Sequence, residues 1–387
     1  MSSAEPARCG GPDLQVKLVR GIGEVDPSAW DACIPARQPF LRHAFLDVLE
    51  ASGSATAETG WLPLHLVVER AGEMLGCAPM YLKSHSYGEY VFDWGWANAY
   101  EHAGGRYYPK LQVSVPFTPV PGPRLLVRPD AGPGEVVVEG LAGAARQLEV
   151  SSLHVTFCQQ HEWAALGRAG FLQRTGVQYH WRNRAYEGFD HFLDGLKSSR
   201  RKNIRKERQR VAQQAVELET LTGDAITPDV WHAFYPFYLK TVDKRWGSAY
   251  LTRRFFELLG ERMADRVVLV MARHQGRYVG GALNLRDDEA LYGRVWGCRE
   301  EFEFLHFEAC YYAAIDFAIA HGLARVEAGA QGRHKLQRGY EPVTTYSAHW
   351  IRDPGFRDAV ERFLCEERRQ VACEHEELKE LLPYRQA

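Results

Sequence analysis

The chain has 387 residues, 47 Lys and Arg against 49 Asp and Glu for a net charge of −2, and 45% hydrophobic residues. That length suffices for two domains of the usual ~100–200 residues, each with its own core, and no apolar run approaches the ~18–20 residues of a membrane span. The balanced charge gives no global sign of a nucleic-acid partner, which makes any local basic cluster more informative.

The N-terminal stretch MSSAEPARCGGPDLQ has no basic start followed by an apolar core, so a cytoplasmic protein is expected. The eight cysteines contain no Cys-x-x-Cys pair, and neither a zinc site nor a disulfide framework is expected. Residues up to about 40 read as a leader strand and connector, and Pro39–Ser52 carries apolar residues at helical spacing. A hairpin follows over Leu66–Leu82, then an aromatic stretch, Tyr90–Tyr100 (YVFDWGWANAY), whose large and small residues alternate as in a strand. Val115–Val127 is a Pro- and Gly-rich loop feeding a strand; Glu135–Val150 reads as a helix and Leu153–Gln159 as a strand.

From here the landmarks recur. The hairpin at 66–82 returns at Leu269–Leu285, with Gly72, Gly76 and Ala78 matched by Gly276, Gly280 and Ala282. Trp94-Gly95 is matched by Trp296-Gly297, Tyr107-Tyr108 by Tyr311-Tyr312, and His180-Trp181 by His349-Trp350. Four landmarks in one order, about two hundred residues apart, indicate a duplicated module rather than a solenoid. The first copy carries an insertion: its tyrosine pair lies 73 residues before His-Trp, against 38 in the second. The expected architecture is α/β, two tandem mixed sheets flanked by helices. The expected domains are 1–189, with the Pro/Gly-rich insertion, and 190–387, opened by a basic helix.

Lys197–Arg210 (KSSRRKNIRKERQR) holds eight Lys or Arg residues and one acid. Leu193, Leu196, Ile204, Val211 and Ala215 form its narrow apolar seam, and Ser198 or Ser199 is placed to cap the helix start. Cations crowded near a helix start oppose its dipole unless an anion is supplied, so Arg200, Arg201, Lys202, Arg205 and Lys206 are candidate phosphate ligands. A solvated charged face is the competing reading. A helical region from Pro228 to Met263 breaks near Trp246, with Asp243 beside the break. A helix is expected over His306–His321 and a strand over Ala324–Ala328, after which EAGAQGRHKLQRGY has glycines that admit close backbone approach and cations at Lys335 and Arg338. His180 and His349, shared by both modules, read as structural.

The hairpin cores RAGEMLG and HQGRYVG resemble the second and third strands of the GNAT acyltransferase fold. Together with SSRRKNIRKER, YLKTVDKRWGSAYLT, YGRVWGC, FLHFEACYY and VEAGAQGRHKLQRGYEPVTTYSAHW, they are similar to a bacterial N-acyltransferase family labelled peptidoglycan biosynthesis or recognition, related to Fem-type aminoacyl-tRNA-dependent transferases. The resemblance implies an N-acyltransferase in which a primary amine of a small molecule or peptide attacks the donor directly in a ternary complex. Lys335 would stabilise the oxyanion, and Glu327, Glu308 or Asp243 would take the amine proton. Trp246, Gln331, His334, Arg338, Tyr340 and Tyr346 would join the five helix cations in holding substrate. No tightly bound cofactor is implied; the donor would be aminoacyl-tRNA or an acyl-CoA. The segment after the second Trp-Gly, Cys298–His306 (CREEFEFLH), is acidic and glycine-free where acetyl-CoA enzymes place a pyrophosphate loop, which favours a tRNA-borne donor. Two alternatives stay open. One is an acyl-CoA-dependent N-acetyltransferase using VPGPRLL of the first module as its phosphate loop. The other is a non-catalytic module that recognises a nucleotide or cell-wall fragment.

Overall fold

The computed structural model describes residues 14–34, 38–132, 134–245, 249–329 and 332–385. Its strands are β1 (Leu14–Val19), β2 (Trp61–Pro63), β3 (His65–Arg70), β4 (Glu73–Ala78), β5 (Met80–Lys83), β6 (Lys110–Val113), β7 (Leu126–Val127), β8 (Ser152–Cys158) and β9 (Leu172–Arg182), then β10 (Val216–Thr222), β11 (Val267–His274), β12 (Arg277–Arg286), β13 (Ala290–Cys298), β14 (Arg325–Glu327) and β15 (Glu341–Ile351).

The chain divides into two compact units, Met1–Gly176 with Thr345–Ala372, and Val177–Thr344 with Cys373–Ala387. The sequence suggested one boundary between 189 and 190. The observed units are discontinuous because β9 and β15 each begin in one unit and end in the other. The first unit has a sheet β1-β3-β4-β7 and a run β2-β5-β6-β8-β15; the second has the run β10-β11-β12-β13-β14-β9.

The duplicated hairpins share one register. Leu66 pairs with Ala78 and Val68 with Gly76, as Val270 pairs with Ala282 and Ala272 with Gly280. Both then slip once, so that Glu69 faces Met74 and Arg273 faces Tyr278. The two-residue turns are Ala71-Gly72 (φ 49 and 85°) and Gln275-Gly276 (φ 51 and 74°), left-handed at both positions as a tight hairpin with matched twist requires. The closing strands correspond as well. In the first unit β6 and β8 run parallel, and β15 pairs antiparallel with β8, placing His349 opposite His154. In the second, β13 and β14 run parallel, and β9 places His180 opposite Glu327.

The other two landmarks fall on different elements. Tyr90–Tyr100 is not a strand: Trp94–His102 is a helix, so Trp94 and Trp96, expected on one strand face, point to different sides of it. The alternation misled because Trp96, Ala97 and Tyr100 also satisfy helical spacing, and that face packs on Tyr107, Leu172, Ile351 and Val360. Its counterpart Trp296-Gly297 is in β13. Tyr107-Tyr108 precede β6, whereas Tyr311-Tyr312 lie in a π-helical turn, Glu308–Tyr312.

One face of the first unit's run of strands is apolar: Met80, Leu111, Val113, Leu153 and Val155 pack with Val137, Val138 and Leu141 of the helix Glu135–Gln147. The other face is polar yet buried, carrying Lys83, Lys110, Gln112, His154, Thr156 and His349. Lys110 Nζ is fully enclosed, 2.7 Å from Glu89 and 2.5 Å from Asp93. Burial pushes the Glu89 carboxyl up to about 7 despite Lys110, and pushes the Lys83 ammonium down to about 7.

In the second unit the helix Pro228–Arg245 closes onto β13, where a Cβ on Gly297 would lie 2.1 Å from the carbonyl oxygen of Phe237. Gly95, in the helix Trp94–His102, has nothing within 4 Å of that position. Gly297→Ala is therefore expected to destabilise by about 2 kcal/mol or more and Gly95→Ala to cost nothing, as read by denaturant unfolding. Equal effects at the two sites would show that both glycines serve one purpose.

Candidate active site

The basic run forms the helix Ser198–Gln213, with Ile204 and Val211 buried along its inner side. Ala215, expected in the apolar seam, is exposed at a left-handed turn (φ 53°). The helix begins one residue earlier than a serine cap requires. Lys197 holds the N-cap position without a side-chain cap bond, and Ser198 is already helical. Its start is tied instead to the C-terminal segment, through Lys197 N to the Pro383 carbonyl (2.8 Å). Arg201 pairs with Asp194 (3.3 Å), Arg205 with Asp190 (2.9 Å), and Arg200 donates to Gln337 Oε1 (3.2 Å). Lys202 and Lys206 are exposed, with no ion pair or hydrogen bond among the described residues. The pairs on Arg201 and Arg205 are surface pairs worth at most about 1 kcal/mol, so a polyanion displaces them cheaply.

The one acid of this helix faces inward. Glu207 accepts from Arg338 Nη2 on both carboxylate oxygens, at 3.0 Å each, and from the Tyr312 hydroxyl. Arg338 also donates to the His334 carbonyl (2.9 Å), and its guanidinium lies 3.5 Å from the centre of the Phe307 ring. Glu207 thus joins the basic helix, the π-helical turn and the 3-10 helix Arg333–Arg338. A lone acid among eight cations is the sequence signal for Glu207, and Tyr312 stands in a repeated landmark, but neither signal names the other as its partner.

Lys335 sits in that 3-10 helix, which starts after Gly332 (φ 118°) and stops at Gly339 (φ 85°), backbone states that side chains rarely adopt. Lys335 is 2% exposed, and its Nζ donates to the Gly329 carbonyl (2.9 Å). Burial pushes the ammonium down to about 8, against some support from Cys310. An ammonium has three donors, so further donors remain for a substrate oxygen. His334 Nε2 lies 2.8 Å from the Tyr311 hydroxyl, and burial, Arg338 and Lys335 all hold its imidazole low. Tyr340 is fully buried with Tyr311 against it, and its hydroxyl has no partner among the described residues.

The candidate carboxylates divide. Glu308 Oε1 is gripped by Arg208 (2.9 Å), which also binds Asp316 (2.8 Å), while its Oε2 has no hydrogen bond among the described residues; burial raises Glu308 and Arg208 opposes that rise. Glu327 ends β14, where Oε1 accepts from Arg325 Nε (2.9 Å) and Oε2 is without a hydrogen bond among the described residues. Trp246, Gln331 and the Asp243 side chain lie outside the described residues. Tyr346 belongs to the first unit, against Trp163 (5.3 Å between ring centres), and not to the unit that holds Lys335.

The segment VPGPRLL of the first unit is packed as structure. Gly122 N donates to the Phe157 carbonyl, and Arg124, fully buried, spends Nε on the Thr156 carbonyl, Nη1 on that of Pro123 and Nη2 on that of Val120, each at 2.8–2.9 Å. In the second unit's acidic segment, Arg299 N goes to the Val279 carbonyl and Glu303 N to Gln214 Oε1.

Solved structures with this fold include FemX (11% identical, TM-score 0.52, covering 87% of this chain and 98% of that one) and L-PGS from Bacillus licheniformis (9%, 0.50, 87% and 96%). A conserved protein of unknown function from Bacteroides thetaiotaomicron is similar too (12%, 0.50, 87% and 100%). At these identities the likeness is one of fold, and it agrees with the expected α/β architecture of mixed sheets flanked by helices. No curated protein matches the sequence. The model of the FemAB-like family, described as peptidoglycan biosynthesis/recognition, matches residues 21–386, and the chain belongs to that family.

Proposed function

We propose that this protein is an N-acyltransferase that moves an aminoacyl group from aminoacyl-tRNA to a primary amine of a small molecule or peptide, by direct attack in a ternary complex. The observation that carries the reading is the link in the second unit between a buried cation and a cation-rich helix. Lys335, enclosed in the 3-10 helix, is tied through Arg338 and Glu207 to the helix that exposes Lys202 and Lys206. The exposed cations suit a nucleic-acid backbone. The enclosed ammonium suits the oxygen of a tetrahedral intermediate, where a low dielectric raises its value. Membership of a peptidoglycan-related family supports an amine of a cell-wall precursor as acceptor.

The backbone N–H groups of Arg299 and Glu303 are already bonded, and Arg124 has committed its donors to carbonyls, which speaks against a pyrophosphate cradle at either place. The deciding experiment offers purified protein charged total tRNA or acetyl-CoA, each with a pool of amines and peptides. Labelled amino acid passing from tRNA to an amine is expected. Transfer from the thioester alone overturns the donor assignment, and transfer from neither overturns the enzyme.

Lys335→Ala is expected to lower kcat about 100- to 1,000-fold, as loss of one oxyanion donor does elsewhere. With Lys335 held near 8, below the 10.5 of an unburied lysine, the rate should fall as pH rises through about 8 and the ammonium is lost. Stability should respond in the opposite sense. The depressed folded value means that burying the charge is costly below pH 8, so this residue's contribution grows between about 8 and 10.5. A pH–rate profile unchanged in its alkaline limb by Lys335→Ala would remove the lysine from the mechanism. Glu207→Ala, which leaves Arg338 buried without a carboxylate, is expected to cost about 3 kcal/mol of unfolding free energy, and under 1 kcal/mol would show that the tie holds nothing together.

A further inference from the structure

The sequence marks His180 as structural, because both modules carry it. The two copies differ in what stands opposite. In the first unit His349 Nδ1 lies 2.7 Å from His154 Nδ1, and His154 Nε2 lies 2.8 Å from Ser152 Oγ and 3.3 Å from the Tyr107 hydroxyl. That network runs on to a carboxylate already held by a cation: the Tyr107 hydroxyl donates to Asp93 Oδ2 (2.7 Å), which Lys110 grips and which lies 3.7 Å from His154 Nε2, and both histidines are 1% exposed. In the second unit the place of His154 is taken by Glu327. His180 Nε2 is 3.8 Å from Glu327 Oε2, the carboxylate oxygen without a hydrogen bond among the described residues, and 3.3 Å from Gln178 Oε1. A separation of 3.8 Å closes by a small rotation or one bridging water.

We infer that Glu327 is the proton acceptor for the attacking amine, and that His180 is its positioning residue, turning its Nε2–H toward Oε2 and so keeping that oxygen aimed at the amine. The inference rests on the transfer reading above and selects among its three carboxylates. As the amine nitrogen bonds to the ester carbonyl carbon, its proton passes to Oε2. When the carbon–oxygen bond of the ester breaks, the departing oxygen leaves as a hydroxyl with that proton, and the pair returns to its starting state. Glu308 lacks such a partner: among the described residues its ion pair is with Arg208, and no imidazole stands against its other oxygen. Glu327 also stands two residues before Gly329, whose carbonyl holds Lys335, so proton acceptor and oxyanion donor share one backbone segment. The groups facing His180 are Glu327 and Arg325 on β14, Arg182 on its own strand, and Lys335. Burial and the three cations hold the imidazole low, against Glu327, so at physiological pH it is neutral and serves as a hydrogen-bond donor through Nε2.

Two measurements on the full-length protein test this. In the charged-tRNA assay, His180→Gln should lower kcat about 10- to 100-fold, leave KM within about twofold, and displace the acidic limb of the pH–rate profile, with an unchanged melting temperature. Retention of kcat within about threefold, with the limb in place, overturns it. Separately, 15N-histidine NMR titration should show His180 taking its proton at lower pH in Glu327→Gln than in wild type, because the amide no longer supports the imidazolium. An unmoved His180 titration overturns the pair whatever the turnover result, and decides the matter if His180→Gln does not fold. If no donor supports transfer while Glu327→Gln still moves His180, the pairing stands and the transfer reading falls.

Discussion

One carboxylate holds the second unit's site together. Glu207 faces inward from a helix that is otherwise cationic, and it receives a buried guanidinium and a tyrosine hydroxyl from two other elements. Without it, Arg338 would be a buried charge over an aromatic ring, with a carbonyl its one other hydrogen-bond partner among the described residues, a costly state. With it, the cation-bearing surface and the segment carrying Lys335 become one piece. Electrostatic preorganisation of this kind is effective because nothing has to reorient when charge develops on the substrate.

The same economy appears in how the two copies of the module have diverged. Their hairpins keep the same register and the same slip, and their closing strands still place a histidine at the same position. The surroundings of that histidine have changed in opposite ways. The first unit has filled its polar face with paired charges and hydroxyls, and has packed its Pro/Gly-rich insertion so that the Arg124 guanidinium is consumed by carbonyls. Each unit holds a buried lysine low, Lys83 in the first and Lys335 in the second, and each has a carboxylate oxygen without a hydrogen bond among the described residues; the second is the one that exposes Lys202 and Lys206.

Local features were legible in the sequence and distant pairings were not. Glycine turns between apolar runs announced both hairpins, the charge run announced its helix, and the glycines flanking Lys335 announced a sharply bounded turn. The stretch around Trp94 failed because alternating size mimics a strand when the true criterion is which residues meet a neighbouring surface, and Trp96, Ala97 and Tyr100 meet theirs at helical spacing. Glu207 and His180 failed for a different reason. Each matters only through a partner more than a hundred residues away, Arg338 and Glu327, and spacing carries no information about that. The serine cap was misjudged by a single residue, since the segment around Pro383, not a side chain, fixes where the helix begins.

The discontinuous units bear on how the protein is made. The first unit takes its closing strand from Tyr346–Ile351, which pairs with Ser152–Cys158. During synthesis at ~5–20 residues per second, that sheet waits with an unpaired β8 edge while nearly two hundred further residues leave the ribosome. Long-range pairings of this sort slow folding, and an open edge invites pairing with other chains. The nascent first half is therefore a natural client for holding chaperones, and a gene cut between the two copies would yield fragments that each lack a strand.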